Sequence, residues 1–162
     1  MPVSCREVDI SFLDIAPEKV INIVELEAPI ETVFAMLEDE NAWPKWFADI
    51  LKVTWTSPKP FGVGTTRTVK LKPLTVWEKF FIWEDNKRFA FYFTQTSLPF
   101  VKALVEDYQL EKIDDNNTRF TYTVAYEPAL PLKLTGPIGR SMLRRMFGKA
   151  AKSFVNYVAQ QK

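Results

Sequence analysis

The 162-residue chain contains no histidine, which removes every mechanism that uses an imidazole as base, nucleophile partner or metal ligand. It has one cysteine, Cys5, so an internal disulfide is excluded, and neither a Cys-x-x-Cys pair nor Cys/His zinc spacing occurs. No structural metal and no cofactor are expected on these grounds. No stretch approaches the roughly 20 apolar residues of a membrane-spanning helix. The first residues (Met1, Pro2, Val3, Ser4, Cys5, Arg6, Glu7) lack the apolar core of a secretory signal, giving the expectation of an unprocessed cytoplasmic protein.

What is abundant is aromatic surface. Thirteen Phe, five Trp and five Tyr bring the aromatic fraction to 14%, beside 25% charged residues. A chain of this length is expected to form a single domain, burying about 70% of its unfolded surface in one core, and that aromatic load has to fill or line it. The formal net charge is only +1, but the charges are segregated: seven of the 21 Lys/Arg and none of the 20 Asp/Glu follow Glu127.

Residues 19–27 alternate Val20, Asn22, Val24 and Leu26 against Ile21, Ile23 and Glu25, the pattern of a strand buried on at least one face. Ala28-Pro29 stops it, and Val33, Phe34 and Leu37 follow at helical spacing. Asn41 as a cap and Pro44 in an early turn predict a second short helix containing Trp43 and Trp46. From Ile50 the period becomes two, through segments near 50–57, 64–71, 74–84, 88–97, 100–113 and 117–127, divided by turn residues such as Lys72-Pro73, Asp85-Asn86 and Asp114-Asp115-Asn116. Seven antiparallel strands result. Residues 138–161 then carry Met142, Leu143, Met146, Phe147, Ala150, Phe154 and Tyr157 on one stripe of a long helix.

That stripe must lie on the apolar face of the sheet, so the larger apolar set of each strand points toward it. The inward sets are Val69 and Leu71; Val76, Glu78, Phe80 and Ile82; Phe89, Phe91 and Phe93; Leu104, Glu106, Tyr108 and Leu110; and Phe120, Tyr122, Val124 and Tyr126. A two-residue loop at Asp85-Asn86 pairs Ile82 with Phe89, Phe80 with Phe91 and Glu78 with Phe93, which keeps these sets on one face. A tip at Lys72-Pro73 sets Arg67 directly opposite Glu78, either as an inward ion pair or as two partly exposed charges at the sheet rim. Proline at that tip requires an unusual turn geometry, with a cis peptide as one route.

The order strand, two short helices, six strands and long C-terminal helix is a recognisable one. With Trp43-Pro44-Lys45-Trp46, Gly62-Val63-Gly64-Thr65-Thr66-Arg67 and the Glu78 strand followed by Asn86-Lys87-Arg88-Phe89, the chain resembles the polyketide cyclase/dehydrase branch of the START/Bet v-like helix-grip superfamily, also called SRPBCC. The resemblance runs from about Lys19 to the end; residues 1–18 lie outside it. It implies an α+β fold with a curved sheet gripping the C-terminal helix around a deep apolar cavity, used by members for lipid, sterol, polyketide or hormone binding, for aromatase/cyclase chemistry or in chaperone activators.

The inward wall of Phe80, Phe91, Phe93, Tyr108 and Tyr122, faced by Met142 and Met146, suits a flat or flexible apolar guest; a solid packed core is the competing reading, and the resemblance favours the cavity. Trp43 and Trp46 are placed near its entrance. Glu78 and Glu106 are the inward acids, whose pKa burial raises unless a cation such as Arg67 lies close. Three functions follow from these residues. The leading one is non-enzymatic binding of a hydrophobic small molecule or lipid. The second is a cofactor-free cyclase or dehydratase using Glu78 as base and Arg67 to stabilise an enolate. The third is a membrane-surface or chaperone-like module using the basic helix, whose cations otherwise balance the acidic sheet. Net charge near zero and no recognised motif argue against nucleic acid as a partner. Oligomeric state stays open.

Overall fold

A computed structural model describes residues 1–161. Its elements are β1 (Val3–Ser4), α1 (Phe12–Ile15), β2 (Glu18–Leu26), α2 (Ile30–Glu38), α3 (Trp43–Trp46), β3 (Ile50–Trp55), β4 (Thr66–Leu71), β5 (Thr75–Glu84), β6 (Arg88–Thr96), β7 (Val101–Asp114), β8 (Asn117–Pro128), α4 (Leu130–Leu134) and α5 (Gly136–Gln160). The seven long strands form one antiparallel sheet in the order β2-β8-β7-β6-β5-β4-β3. Strands β3 to β8 run as a meander. The first long strand joins its far edge, with Val20 opposite Val124, and α2 and α3 carry the chain across to β3 at the other edge. Helix α5 lies on the concave side, beside β2 and α3.

Period two sets which side chains meet that helix. In β2, Val20 and Leu26 are buried while Ile21 and Ile23 stand exposed on the outer face of an edge strand. The inward sets of β4 to β8 are buried apart from Leu71 and Ile82. Arg67 is opposite Glu78 and Val69 opposite Val76, the register expected from a tip at Lys72-Pro73, whose peptide bond is cis.

The β5–β6 hairpin departs from a constant register in two places, between Trp77 and Glu78 and near its loop. Its loop has three residues, Asp85 to Lys87, with Asn86 at φ 60°, so Trp83 pairs with Phe89 and Ile82 with Ala90. A bulge at Phe81 then absorbs the extra residue, and Phe80–Phe91 and Glu78–Phe93 return to the expected register. The bulge turns Trp83 rather than Ile82 toward Phe89, 5.2 Å between ring centroids, and Phe34. Asn41 does not cap α3; the N-cap is Ala42, and the Asn41 N–H donates to Asp39 Oδ1 instead.

Three elements, β1, α1 and α4, lay beyond sequence patterning. Strands β6 and β7 pair only over Arg88–Tyr92 and Val105–Gln109. Where they part, β1 inserts, with Val3 opposite Thr96, and the next two amides, Cys5 and Arg6, donate to the carbonyls of Thr94 and Lys102 on the two sides. The following turn buries Phe12 against Tyr92, Ala103, Val105 and Ala125 on the sheet face away from α5. Residues 1–18 thus close an opening in the sheet and cover part of its back.

Removing a buried phenylalanine ring costs about 3–5 kcal/mol through lost transfer energy and the cavity left behind. Phe12→Ala is expected to reduce the urea-unfolding free energy by about that amount. A loss below about 1 kcal/mol would show that this segment contributes little to the fold.

Candidate functional site

The space between sheet and α5 is filled at one end and hollow at the other. Toward the C-terminal half of α5, Phe154 packs on Trp46 with ring centroids 4.4 Å apart and on Phe120 at 5.6 Å, while Phe147 meets Phe47 and Tyr122 edge-on. Beside the N-terminal half lies a cavity of about 350 Å³, within the range of small-molecule sites. Its walls are largely apolar: Val69, Leu104, Phe93, Leu143 and Phe147 are buried around it, and Phe100, Leu74 and Met146 are partly buried. Exposed Met142, the Lys72-Pro73 tip and half-buried Asp49 form its rim.

Polar side chains line one part of this apolar wall. Arg67 and Glu78, both cavity-lining, are joined by a hydrogen-bonded ion pair from Arg67 Nε to Glu78 Oε2 and are 2% and 4% exposed. The guanidinium carbon lies 4.6 Å from the ring centre of Trp43, 4.8 Å from Phe91, and 5.2 Å from both Trp55 and Phe80, so four rings box the cation. Arg67 Nη1 is buried and has no hydrogen-bond partner among the described residues. Next to the pair, Glu106 Oε1 accepts from Tyr122 Oη at 2.7 Å and Tyr108 Oη at 3.0 Å. The strand pattern explains this convergence: Tyr108 is two residues beyond Glu106 on β7, and Tyr122 is its direct partner on β8.

Two carboxyls and one guanidinium thus share a water-poor site. Burial pushes the Glu78 carboxyl up to about 7; Arg67 opposes the rise and the neighbouring Glu106 adds to it. Burial also raises Glu106, against the donors of Tyr122, the charge of Arg67 and the Tyr108 hydroxyl. Both phenols are held well above their usual range, first by burial and then by the Glu106 charge. One proton on the two acids balances the cluster against Arg67, since two buried carboxylates beside one cation leave an uncompensated charge.

The expected site residues divide into two groups. Arg67, Glu78, Phe93, Glu106, Tyr108, Met142 and Met146 line the cavity. Phe80, Phe91 and Tyr122 do not reach it: each is fully buried among other rings, where Phe80 and Phe91 support Arg67 and Tyr122 holds Glu106. Met142, placed on the buried stripe from its spacing, is 59% exposed, because the buried arc of α5 runs through Gly139, Leu143, Phe147 and Ala150. Trp43 and Trp46 are not at the entrance. Both are 1–2% exposed, and Trp43 donates its indole N–H to Leu37 O while lying over Arg67. Leu104 and Val69 were legible as inward residues, whereas the role of Trp55 against Arg67 carried no signal in the strand pattern.

A strand–helix grip with a hollow at one end and a buried acid–base cluster in its wall defines a ligand-cavity class of α+β proteins. The chain belongs to the polyketide cyclase/dehydrase and lipid transport family, whose model matches residues 18–159. An uncharacterized protein of Mycobacterium tuberculosis (strain ATCC 25618 / H37Rv) is 42% identical over 130 residues, 80% of this chain and 77% of that relative. Among solved structures, a START superfamily protein from Mycobacterium smegmatis superposes with a TM-score of 0.76 at 16% identity, covering 89% of this chain and 99% of the other. The Zhui aromatase/cyclase from Streptomyces sp. R1128 gives 0.71 at 16% identity, covering 89% and 92%. The fold is the expected START-like helix grip.

The raised Glu78 pKa has a stability consequence whose sign is fixed. An unfolded glutamate titrates near 4.5 and the folded one near 7, so the folded state holds this proton more tightly. Folding therefore loses stability as pH rises between about 4.5 and 7, and below that window the loss is absent. Glu78→Gln is expected to remove that slope when urea unfolding is compared at pH 5 and pH 8. Parallel pH dependence in parent and variant would rule out Glu78 as the titrating group.

Proposed function

We propose that the protein binds an apolar small molecule or lipid carrying an oxygen function, with the apolar part in the cavity against α5 and the oxygen at Arg67. The observation that carries this reading is the pairing of an apolar hollow with a buried donor: Arg67 lines the cavity and its Nη1 has no partner among the described residues. A buried N–H without an acceptor forfeits on the order of 1–3 kcal/mol, which a ligand carbonyl or hydroxyl at that position recovers. A ligand carboxylate is a poorer fit unless a proton arrives with it, because Glu78 and Glu106 already supply one negative charge beyond their shared proton. Family membership supports the hydrophobic class of ligand.

The same cluster supports a second reading as a cyclase or dehydratase. Glu78 titrating near 7 is placed to accept a proton from an acidic carbon near neutral pH, and Arg67 to stabilise the enolate oxygen that forms. An aromatase/cyclase stands among the structures of this fold. Under this reading Glu78→Gln abolishes turnover and leaves affinity; under the binding reading there is no turnover to abolish.

Filling the hollow tests the binding reading directly. Leu104→Trp places a larger ring in the cavity, whereas Leu51→Trp adds the same ring at an exposed position on β3. Titration with the neutral fluorescent probe N-phenyl-1-naphthylamine is expected to show a loss of affinity on the order of tenfold or more for Leu104→Trp and none for Leu51→Trp. Equal binding by both variants would place the probe elsewhere and overturn the assignment.

A further inference from the structure

We propose that the outward side of the α4–α5 stretch docks on an anionic bilayer surface, bringing the cavity mouth against the lipid. Four large apolar side chains, four residues apart, stand exposed along this stretch: Leu130 at 63%, Leu134 and Ile138 at 78%, and Met142 at 59%. Single exposed apolar residues are ordinary, but four of them within thirteen residues, two on α4 and two at the start of α5, mark a contact surface.

The row passes into cations. On α5, Ile138, Met142, Arg145, Lys149 and Lys152 fall within about 80° of one helical face, opposite the buried arc through Leu143, Phe147 and Phe154. An apolar end continued by Lys/Arg on one exposed face is the arrangement of a helix lying in a membrane interface.

The cations of α4 and α5, among them the three on this face, are little used inside the molecule. Were they there to balance the acidic sheet, ion pairs would join them to it; only Arg140 forms one, to Glu18 at 3.5 Å. Lys133, Arg144, Arg145, Lys149 and Lys152 have no ion-pair partner among the described residues, and no acid follows Glu127 in the sequence. An uncompensated cationic face complements anionic headgroups. A second copy fits it poorly, because a two-fold contact would set these same cations against each other.

The position of the row ties it to the cavity. Met142 belongs both to the exposed row and to the cavity rim, and the loop that contributes Phe100 to the cavity wall also exposes Leu98 at 46%. A membrane contacting this face therefore meets the opening, and an apolar guest moves between cavity and bilayer without crossing water. Docking itself does not depend on what the cavity holds, so it is measurable whether or not the proposed ligand binding is correct.

The test is flotation of the full chain with phosphatidylcholine vesicles prepared with and without phosphatidylglycerol. Binding is expected only to the anionic vesicles and is expected to weaken steeply as salt rises from 0.1 M to 1 M, where the screening length falls from about 10 Å to about 3 Å. Arg145→Gln/Lys149→Gln should lower partitioning roughly thirtyfold. Leu134→Ser/Ile138→Ser should lower it on the order of tenfold or more. All four side chains are exposed, so thermal unfolding of both variants is expected to match the parent. Binding indifferent to anionic lipid, variants that partition like the parent, or a dimer in solution that Leu134→Ser/Ile138→Ser dissociates would each overturn the proposal, the last by assigning the face to a second copy.

Discussion

The organisation of the concave side depends on one buried cation. Arg67 cannot leave the interior: it sits directly opposite Glu78 in the β4–β5 ladder, and four aromatic rings from α3, β3, β5 and β6 enclose its guanidinium. Taking such a charge out of water is expensive, and a single carboxylate in good geometry does little more than offset that cost. The rings add cation–π attraction in a dry setting, and the second acid, held by Tyr108 and Tyr122, adds long-range charge. The cluster is a liability for stability, and Arg67, Glu78, Glu106 and Tyr108 of it stand in the wall of the cavity.

Helix α5 treats its two halves differently. The C-terminal half closes on rings from α3 and β8, and the N-terminal half covers the hollow. Small residues assist the close approach: Gly148 lies beside Asn22 of β2, and Ala150 and Ala151 are buried in the same turn. At the other end, Gly136 at φ 56° breaks the chain between α4 and α5, and Gly139 fits against Thr135 and Leu132, where even a methyl group would collide. The exposed apolar residues Ile138 and Met142 and the cavity opening therefore coincide near the start of α5.

Much of this was legible because strands have a period of two and a one-residue slip would turn every side chain over. Arg67 opposite Glu78, and Glu106 sharing a face with Tyr108 and Tyr122, follow from alternation and turn positions alone. The three-residue loop at Asp85 to Lys87 was not legible, since its extra residue is cancelled by the Phe81 bulge four residues before the loop. Nor was the division of the inward rings into cavity wall and support. Alternation says which face a ring occupies, but the gap above it is set by long-range packing such as Trp46 on Phe154. Residues 1–18 were unreadable because a two-residue strand has no period, and its place is defined only by the opening between β6 and β7.

Native mass spectrometry of the purified protein, with denaturing extraction of the same sample, decides whether the cavity holds an apolar guest with an oxygen at Arg67. A retained molecule of low polarity bearing a carbonyl or hydroxyl, absent from Leu104→Trp, is the predicted result. Protein that carries no guest and takes up none from a supplied mixture of lipids and aromatic ketones would contradict it.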